Sequence, residues 1–278
     1  MPDLETSVNG IRNLIGGWRS SGSTTALVPT MGALHRGHMA LVENARQLAE
    51  RVVVSIFVNP TQFGSGEDFP SYPRDLDGDL NKLSQYADAV FAPGVDEMYP
   101  HGYATTVSLT GPAEGLETNF RPGFFSGVAT VVTKLLVAVA PDVAIFGDKD
   151  YQQLLVVKRL VSDLRLPVKI ASHPIERESD GLALSSRNFY LTAEQRKTAP
   201  QLYRSLMAAA GAIRAGELAA TALEEARAAL NSAGLDIDYI ELRDAKTLDP
   251  VADQTTSKMR ILAAVRLGQT RLIDNVPV

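Results

Sequence analysis

Thr24-Thr25-Ala26-Leu27-Val28-Pro29-Thr30-Met31-Gly32-Ala33-Leu34-His35-Arg36-Gly37-His38 decides the reading of the fold. Its first five residues are β-branched or apolar with no polar alternation, as in a strand covered on both faces. From Met39 to Glu50 the apolar residues recur at helical spacing, and Val52 to Val58 is a second, near-continuous apolar run interrupted at Ser55. Strand, short loop, helix and strand within about 35 residues make a βαβ unit, which builds a parallel sheet. Gly32 and Gly37 let the loop turn sharply and approach a ligand closely. His35 and His38, three apart at the start of the helix, fall on one side of it. The backbone N–H groups there favour a phosphate, and imidazoles add donors whose charge can adjust near neutral pH. Two structural histidines in a turn, or a metal site, are the alternatives for this pair.

The alternation continues outward from this unit. Asp75 to Tyr86 reads as a helix, Ala89 to Phe91 as a strand, Phe125 to Val139 as a helix and Val143 to Phe146 as a strand. Gln152 to Leu164 reads as a helix and Val168 to Ile170 as a strand. The expected fold is α/β, a doubly wound parallel sheet. Past Arg187 the pattern changes. Thr192 is placed to cap a helix, two Ala-rich helices break at Gly216, and strands are expected at 238–242, 260–267 and 270–273. This divides the chain into a Rossmann-like domain over 1–176 and a small α+β lid domain over 177–278.

The 278 residues carry 27 basic and 32 acidic side chains, a net charge of −5. Such a balance offers no general attraction to nucleic acid or to an anionic membrane, so an anionic substrate must be met by locally placed cations. There is no cysteine, which excludes disulfides, thiolate ligands and a cysteine nucleophile. The first ten residues lack a basic stretch followed by an apolar one, so no secretory signal is read there. The longest apolar stretch, Val128 to Ala140, is interrupted by Lys134 and is too short to span a bilayer. A soluble, cytoplasmic protein is expected.

Ligands of open parallel sheets bind beyond the carboxyl ends of the strands, and three more polar segments fall there. Phe57-Val58-Asn59-Pro60-Thr61-Gln62-Phe63 offers the neutral amides of Asn59 and Gln62, though an ordinary Pro-directed turn accounts for them equally. In Gly147-Asp148-Lys149-Asp150-Tyr151-Gln152-Gln153, Lys149 suits a phosphate and Gln153 lies one turn into the next helix; a solvated loop is the other reading. Ser185-Ser186-Arg187 combines hydroxyls with a forked guanidinium, as a polyphosphate requires, or simply caps a linker. Among the acidic residues 75–79, which mainly offset a helix dipole, Asp79 is the best candidate to help hold a Mg²⁺ on ATP, with Asp77 behind it. Arg121 reaches the site or caps a loop. His101 and His173 read as incidental, and Trp18 and Met39 as packing residues.

Together these segments resemble the pantothenate synthetase family. Pro-Thr-Met-Gly-x-Leu-His-x-Gly-His at 29–38, Phe-Val-Asn-Pro-x-Gln-Phe at 57–63 and Tyr-Pro-Arg at 72–74 stand in the family's order. Gly-x-Lys-Asp-Tyr-Gln-Gln at 147–153 and Asp-Gly-Leu-Ala-x-Ser-Ser-Arg-Asn at 180–188 follow. His-x-Gly-His is shared with nucleotidyltransferases and class I aminoacyl-tRNA synthetases; the Asn-Pro-x-Gln-Phe and Lys-Asp-Tyr-Gln-Gln segments are more particular. The resemblance implies ATP-dependent joining of pantoate to β-alanine through a pantoyl adenylate, in a homodimer, with Mg²⁺ carried by ATP. It implies ATP contacts from Met31, Gly32, Ala33, Leu34, His35, Arg36, Gly37 and His38. Further ATP contacts are implied from Gly147, Asp148, Lys149, Asp150, the backbone of Glu176, and Leu184, Ser185, Ser186 and Arg187. His38, His35, Lys149 and Arg187 take the catalytic roles, with His38 as proton donor, and Gln62, Gln153 and Asn59 attend the acid and the amine. The chain departs from the family at Phe124, usually His, at Glu176, usually apolar, and at Gly78, where some members have a carboxylate. A nucleotidyltransferase acting on a phosphorylated substrate and a non-catalytic nucleotide-binding protein are the rival readings.

Overall fold

The computed structural model describes residues 1–64, 66–67, 69–251 and 258–278. The elements along the chain are β1 (Asp3–Glu5), α1 (Val8–Ser20), β2 (Thr25–Thr30), α2 (Arg36–Leu48), β3 (Arg51–Ile56), α3 (Leu76–Leu83) and β4 (Ala89–Phe91). Next come α4 (Val95–Met98), α5 (Glu117–Phe120), α6 (Phe124–Val139), β5 (Val143–Gly147), α7 (Tyr151–Asp163) and β6 (Lys169–His173). The last third holds α8 (Ala193–Thr198), α9 (Gln201–Arg214), α10 (Ala219–Ser232), β7 (Asp236–Asp244), β8 (Met259–Leu267) and β9 (Thr270–Pro277).

Among the described residues, six strands form one sheet in the order β1-β4-β3-β2-β5-β6, with every pairing parallel. Side chains alternate across it as the pleat demands. Leu27, Val53, Ala89, Phe91, Ala144 and Phe146 face α1, α6 and α7, while Ala26, Val28, Val52, Val54, Val90 and Ile145 face α2 and α3. Both faces are buried, which is why these strands read as unbroken apolar runs. From β2 the chain runs outward through β3 and β4, then returns to β5 and β6 on the other flank. The direction of winding therefore reverses between β2 and β5, and a crevice opens at their carboxyl ends.

The first two elements, β1 and α1, are additions to the sequence reading. The three-residue β1 pairs with β4 at the sheet edge, and α1 carries only Ile11 and Ile15 as fully buried residues, too sparse a stripe to stand out. The described C-terminal strands form an antiparallel β7-β8-β9 sheet. One face, with Ile240, Leu242, Ile261, Ala263 and Val265, packs under α9 and α10. The other, with Tyr239, Leu262 and Ala264, packs on Leu116 and on Leu155 of α7. The capping read at Thr192 is present as a reciprocal pair with Gln195.

Candidate active site

The loop from Met31 to His35 is built from backbone constraints. Gly32 has φ +83°, and a side chain there would crowd Ile56 and Asp79. The Leu34 N–H donates to Asp79 Oδ1 at 2.8 Å and the Leu34 carbonyl accepts from Lys82 Nζ at 2.8 Å, so α3 holds the loop from behind. His35 is the N-cap of α2: its Nδ1 accepts from the Gly37 N–H at 3.1 Å, while His38 Nδ1 accepts from the His35 N–H at 3.3 Å. With both Nδ1 atoms accepting, the single proton of each neutral ring sits on Nε2. The rings lie 4.0 Å apart between centroids.

These histidines are not charged near neutral pH. Burial, then the charges of Lys149 and Lys82, lower His35 to about 4. Burial, then His35, Lys149 and Lys82, lower His38 to about 3. The expectation of imidazoles adjustable near pH 7 is corrected for the protein alone: each contributes an Nε2–H dipole, not a cation.

Both histidines line a cleft of about 640 Å³ at the β2–β5 crevice. Met31, Gly37, Asn59, Gln62, Gly147, Lys149, Asp150, Gln153, Glu176, Leu184, Ser185, Ser186 and Arg187 line it too. Gly32, Ala33, Leu34, Arg36, Asp148 and Asp79 do not. Arg36 donates to the Arg177 carbonyl at 2.5 Å, bracing α2 against the chain that leads into the C-terminal sheet. Asp79 is the clear departure from expectation. Its carboxylate is 1% exposed, committed to Leu34 and 3.4 Å from Lys82, and so anchors the loop rather than facing a cleft-bound metal. Among the described residues no group of three His, Asp or Glu side chains is arranged to hold a metal ion.

Lys149 extends from the turn after β5, its Nζ 4.0 Å from Asp150. The backbone beneath it is fixed from the other sheet: Asn275 Nδ2 of β9, buried, donates to the carbonyls of Asp148 (2.9 Å) and Lys149 (3.0 Å). Ser185 accepts from the Arg187 N–H at 3.2 Å, and Ser186 Oγ lies 3.3 Å from the Tyr72 hydroxyl. On the far side of the crevice, Asn59 Nδ2 donates to Gln62 Oε1 (3.0 Å) and to the Gly127 carbonyl (3.2 Å), and Gln62 Nε2 reaches Met31 Sδ at 3.2 Å. Thus the 59–62 turn is more than a solvated Pro turn. Apolar wall beside these amides comes from Phe57, Phe125, Val128 and Val131.

Several cleft residues carried no sequence signal. His173, read as incidental, ends β6 on the cleft wall, between Asn44 and Glu176 at 3.3 Å each. Glu117 is buried and receives the Arg271 fork at 2.8 Å twice and the Tyr239 hydroxyl at 2.9 Å. Burial and the neighbouring Glu117 carboxylate push the Tyr239 hydroxyl well above its ordinary value. Gln152, buried, also lines the cleft, its Oε1 accepting from the Glu117 N–H at 3.1 Å.

The sequence profile of the family described as pantoate-beta-alanine ligase matches residues 4–277. The chain belongs to that family. The pantothenate synthetase of Paramagnetospirillum magneticum is 55% identical to this ligase over 274 residues, 98% of this chain and 96% of the relative. That of Nitrobacter winogradskyi is 50% identical over 279 residues, covering 100% and 99%. A crystal structure of the Thermus thermophilus enzyme superposes on the ligase with a TM-score of 0.93 at 47% identity, covering 99% of this chain and 98% of that one. The Francisella tularensis pantoate-beta-alanine ligase, solved with beta-gamma ATP and β-alanine, gives 0.85 at 34% identity, covering 100% and 98%. The doubly wound fold with its smaller C-terminal sheet is thus the ligase family's own.

Proposed function

We propose that the cleft activates pantoate with ATP and passes the acyl group to β-alanine, releasing AMP and pyrophosphate. One observation carries this reading: donors from the β2, β5 and 184–187 segments meet in one cleft that has neutral amides and an apolar wall on its opposite side. The first group suits a triphosphate, the second a small branched hydroxy acid. A nucleotidyltransferase acting on a second phosphate needs cations where Asn59, Gln62 and Gln153 stand.

A carboxylate is a poor acyl donor because oxide is its leaving group. In the first step a pantoate carboxylate oxygen bonds to the α-phosphorus and the bond to pyrophosphate breaks. Negative charge grows on the α-phosphate and on the departing oxygens, where fixed donors contribute most. Lys149 and Arg187 supply charge, Ser185 and Ser186 hydroxyls, and His35 and His38 their Nε2–H groups. In the second step the free amine of β-alanine attacks the acyl carbon, AMP leaves, and the amine proton is released. Gln62, Gln153 and Asn59 orient the reactants. A bound triphosphate raises the pKa of both imidazoles from their depressed values, which is what a proton-donating role for His38 requires.

Among the described residues no group of three His, Asp or Glu side chains is arranged around a metal, and the Asp79 carboxylate accepts from Leu34. Mg²⁺ carried by ATP would supply charge to offset that of the phosphates. The adenine contact of Glu176, the water-excluding role of residues 177–278 as a lid, the homodimer and a cytoplasmic location complete the reading. No described helix is long and apolar enough to cross a membrane. An AMP-release assay with pantoate, β-alanine and ATP omitted one at a time tests the proposal. AMP formation needing all three is expected; AMP formed without the acid sinks it.

A further inference from the structure

The guanidinium of Arg121, at the end of α5, is confined on every side. Its Nε and Nη2 form a fork on the Glu67 carboxylate at 2.7 Å each, and Nη2 also donates to the Gln62 carbonyl at 3.1 Å. Nη1 stands 3.5 Å from Glu117. The Phe124 ring lies 3.7 Å beneath its central carbon. Glu117 in turn takes the Arg271 fork, and Arg271 Nε donates to Asp238 at 2.6 Å. Carboxylates and guanidiniums thus alternate from the turn bearing Gln62, along the cleft wall, into β9 and β7. Burial raises the Glu67 carboxyl, but the Arg121 hydrogen bond and charge outweigh it and hold the group below its ordinary range.

We propose that Arg121 is a positioning residue for the acid half of the site, setting the Gln62 turn against the C-terminal sheet through Glu117 and Arg271. This rests on the reading that Gln62 binds the acid. Two carboxylates already balance the Arg121 charge and its fork is occupied, so it is poorly placed to receive a substrate carboxylate. What it supplies is geometry. Among the described residues the Gln62 side chain has only a sulfur and another amide as its own partners, so its aim depends on where its backbone is held, and Arg121 holds the carbonyl. The aromatic ring at Phe124, where the family usually has His, is the platform that keeps the guanidinium plane in place.

A flexible point charge cannot replace this planar fork. Arg121→Lys, which keeps the charge, is expected to raise the KM for pantoate about tenfold or more, on the scale of a lost charge-assisted hydrogen bond. The dissociation constant for ATP, measured without the acid, should stay within about twofold of wild type. Phe124→Leu leaves every ion pair in place and should raise the same KM by roughly two- to fivefold, the scale of one cation–π contact. Arg271→Lys should act in the same direction, and combined with Arg121→Lys should give less than the product of the two effects. A pantoate KM within about twofold of wild type in a folded Arg121→Lys enzyme overturns the proposal. So does an equal loss of ATP affinity, which marks general damage. If Arg121→Lys does not fold, an unchanged pantoate KM in Phe124→Leu decides against it. A wild-type enzyme making no pantoate-dependent AMP refutes the assigned reaction instead, and the two failures are told apart by that control.

Discussion

Replacing Asp79 with Asn separates two jobs that one carboxylate can do. If Asp79 anchors the Met31–His35 loop, the substitution acts on stability and on the ATP-binding loop. If it holds Mg²⁺, it acts on metal dependence. The structure supplies the magnitude. Asp79 Oδ1 accepts the Leu34 N–H at 2.8 Å in a buried site, and a neutral amide oxygen weakens that bond by about 1 kcal/mol. The Lys82 contact is long at 3.4 Å and its ammonium half exposed, so losing it adds only a few tenths of a kcal/mol. Asp79 Oδ2 is buried without a partner among the described residues; an amide NH₂ in its place exchanges one unsatisfied group for another, while removing a buried charge gives some of the loss back. The net expectation is ~1 kcal/mol of destabilisation, a drop of about 2–4 °C in Tm for a chain of this size. The KM for ATP should rise several-fold as the loop loosens. The assay is a thermal melt beside initial rates over a Mg²⁺ titration at saturating ATP. The Mg²⁺ concentration for half-maximal rate should not move. A tenfold rise in it, with an unchanged Tm, would falsify the anchoring role and return Asp79 to the metal.

Three further outcomes are expected. Lys149→Ala should lower the rate of pyrophosphate release in single turnover by about a hundredfold or more, the scale of a lost transition-state charge, with Tm nearly unchanged because among the described residues its side chain makes only a 4.0 Å ion pair; a near-normal rate removes Lys149 from the chemistry. His38 should make the ligand-free protein acid-sensitive. With its pKa lowered to about 3 it stays neutral in the fold where the unfolded chain is protonated, so stability is full above pH 7 and falls as pH drops below 6.5. Denaturant melts at pH 7.5 and 5 should differ by ~2 kcal/mol from this residue, and His38→Gln should shrink the difference; an undiminished pH dependence refutes the assignment. Gly127→Ala should cost about 1–3 kcal/mol and raise the KM for pantoate, because a Cβ there would come within 2.2 Å of the Thr61 carbonyl and displace the Gln62 turn; an unchanged KM would show that α6 does not seat that turn.

What could be read from the sequence was whatever is local. Val52 to Val58 reads as a doubly covered strand because both of its faces are apolar, and the β2–α2 loop announces itself through Gly32 and Gly37. The 59–62 turn was ambiguous because two amides and a proline look alike whether or not a second segment meets them. Gly127, which presents no side chain, is the segment that meets them here: its carbonyl takes Asn59, and its missing Cβ makes room for Thr61.

Charge was the least legible property, for a related reason. An ordinary exposed imidazole is about a quarter protonated at pH 7; His38 is neutral because burial and three basic neighbours act together, and one of those, Lys149, lies more than a hundred positions away. Arg121 shows the reverse: a full charge in the sequence that two acidic partners, Glu67 and Glu117, largely cancel in the fold. On the proposed reading the cations facing a triphosphate are thus fewer than the sequence count, which raises what would be asked of Lys149, of Arg187 and of any Mg²⁺ carried by ATP. Fixed N–H and O–H dipoles do the remaining work, and these keep their effect only while the backbone holding them stays in place. Asp79 under Leu34 and Asn275 under Lys149 are that support.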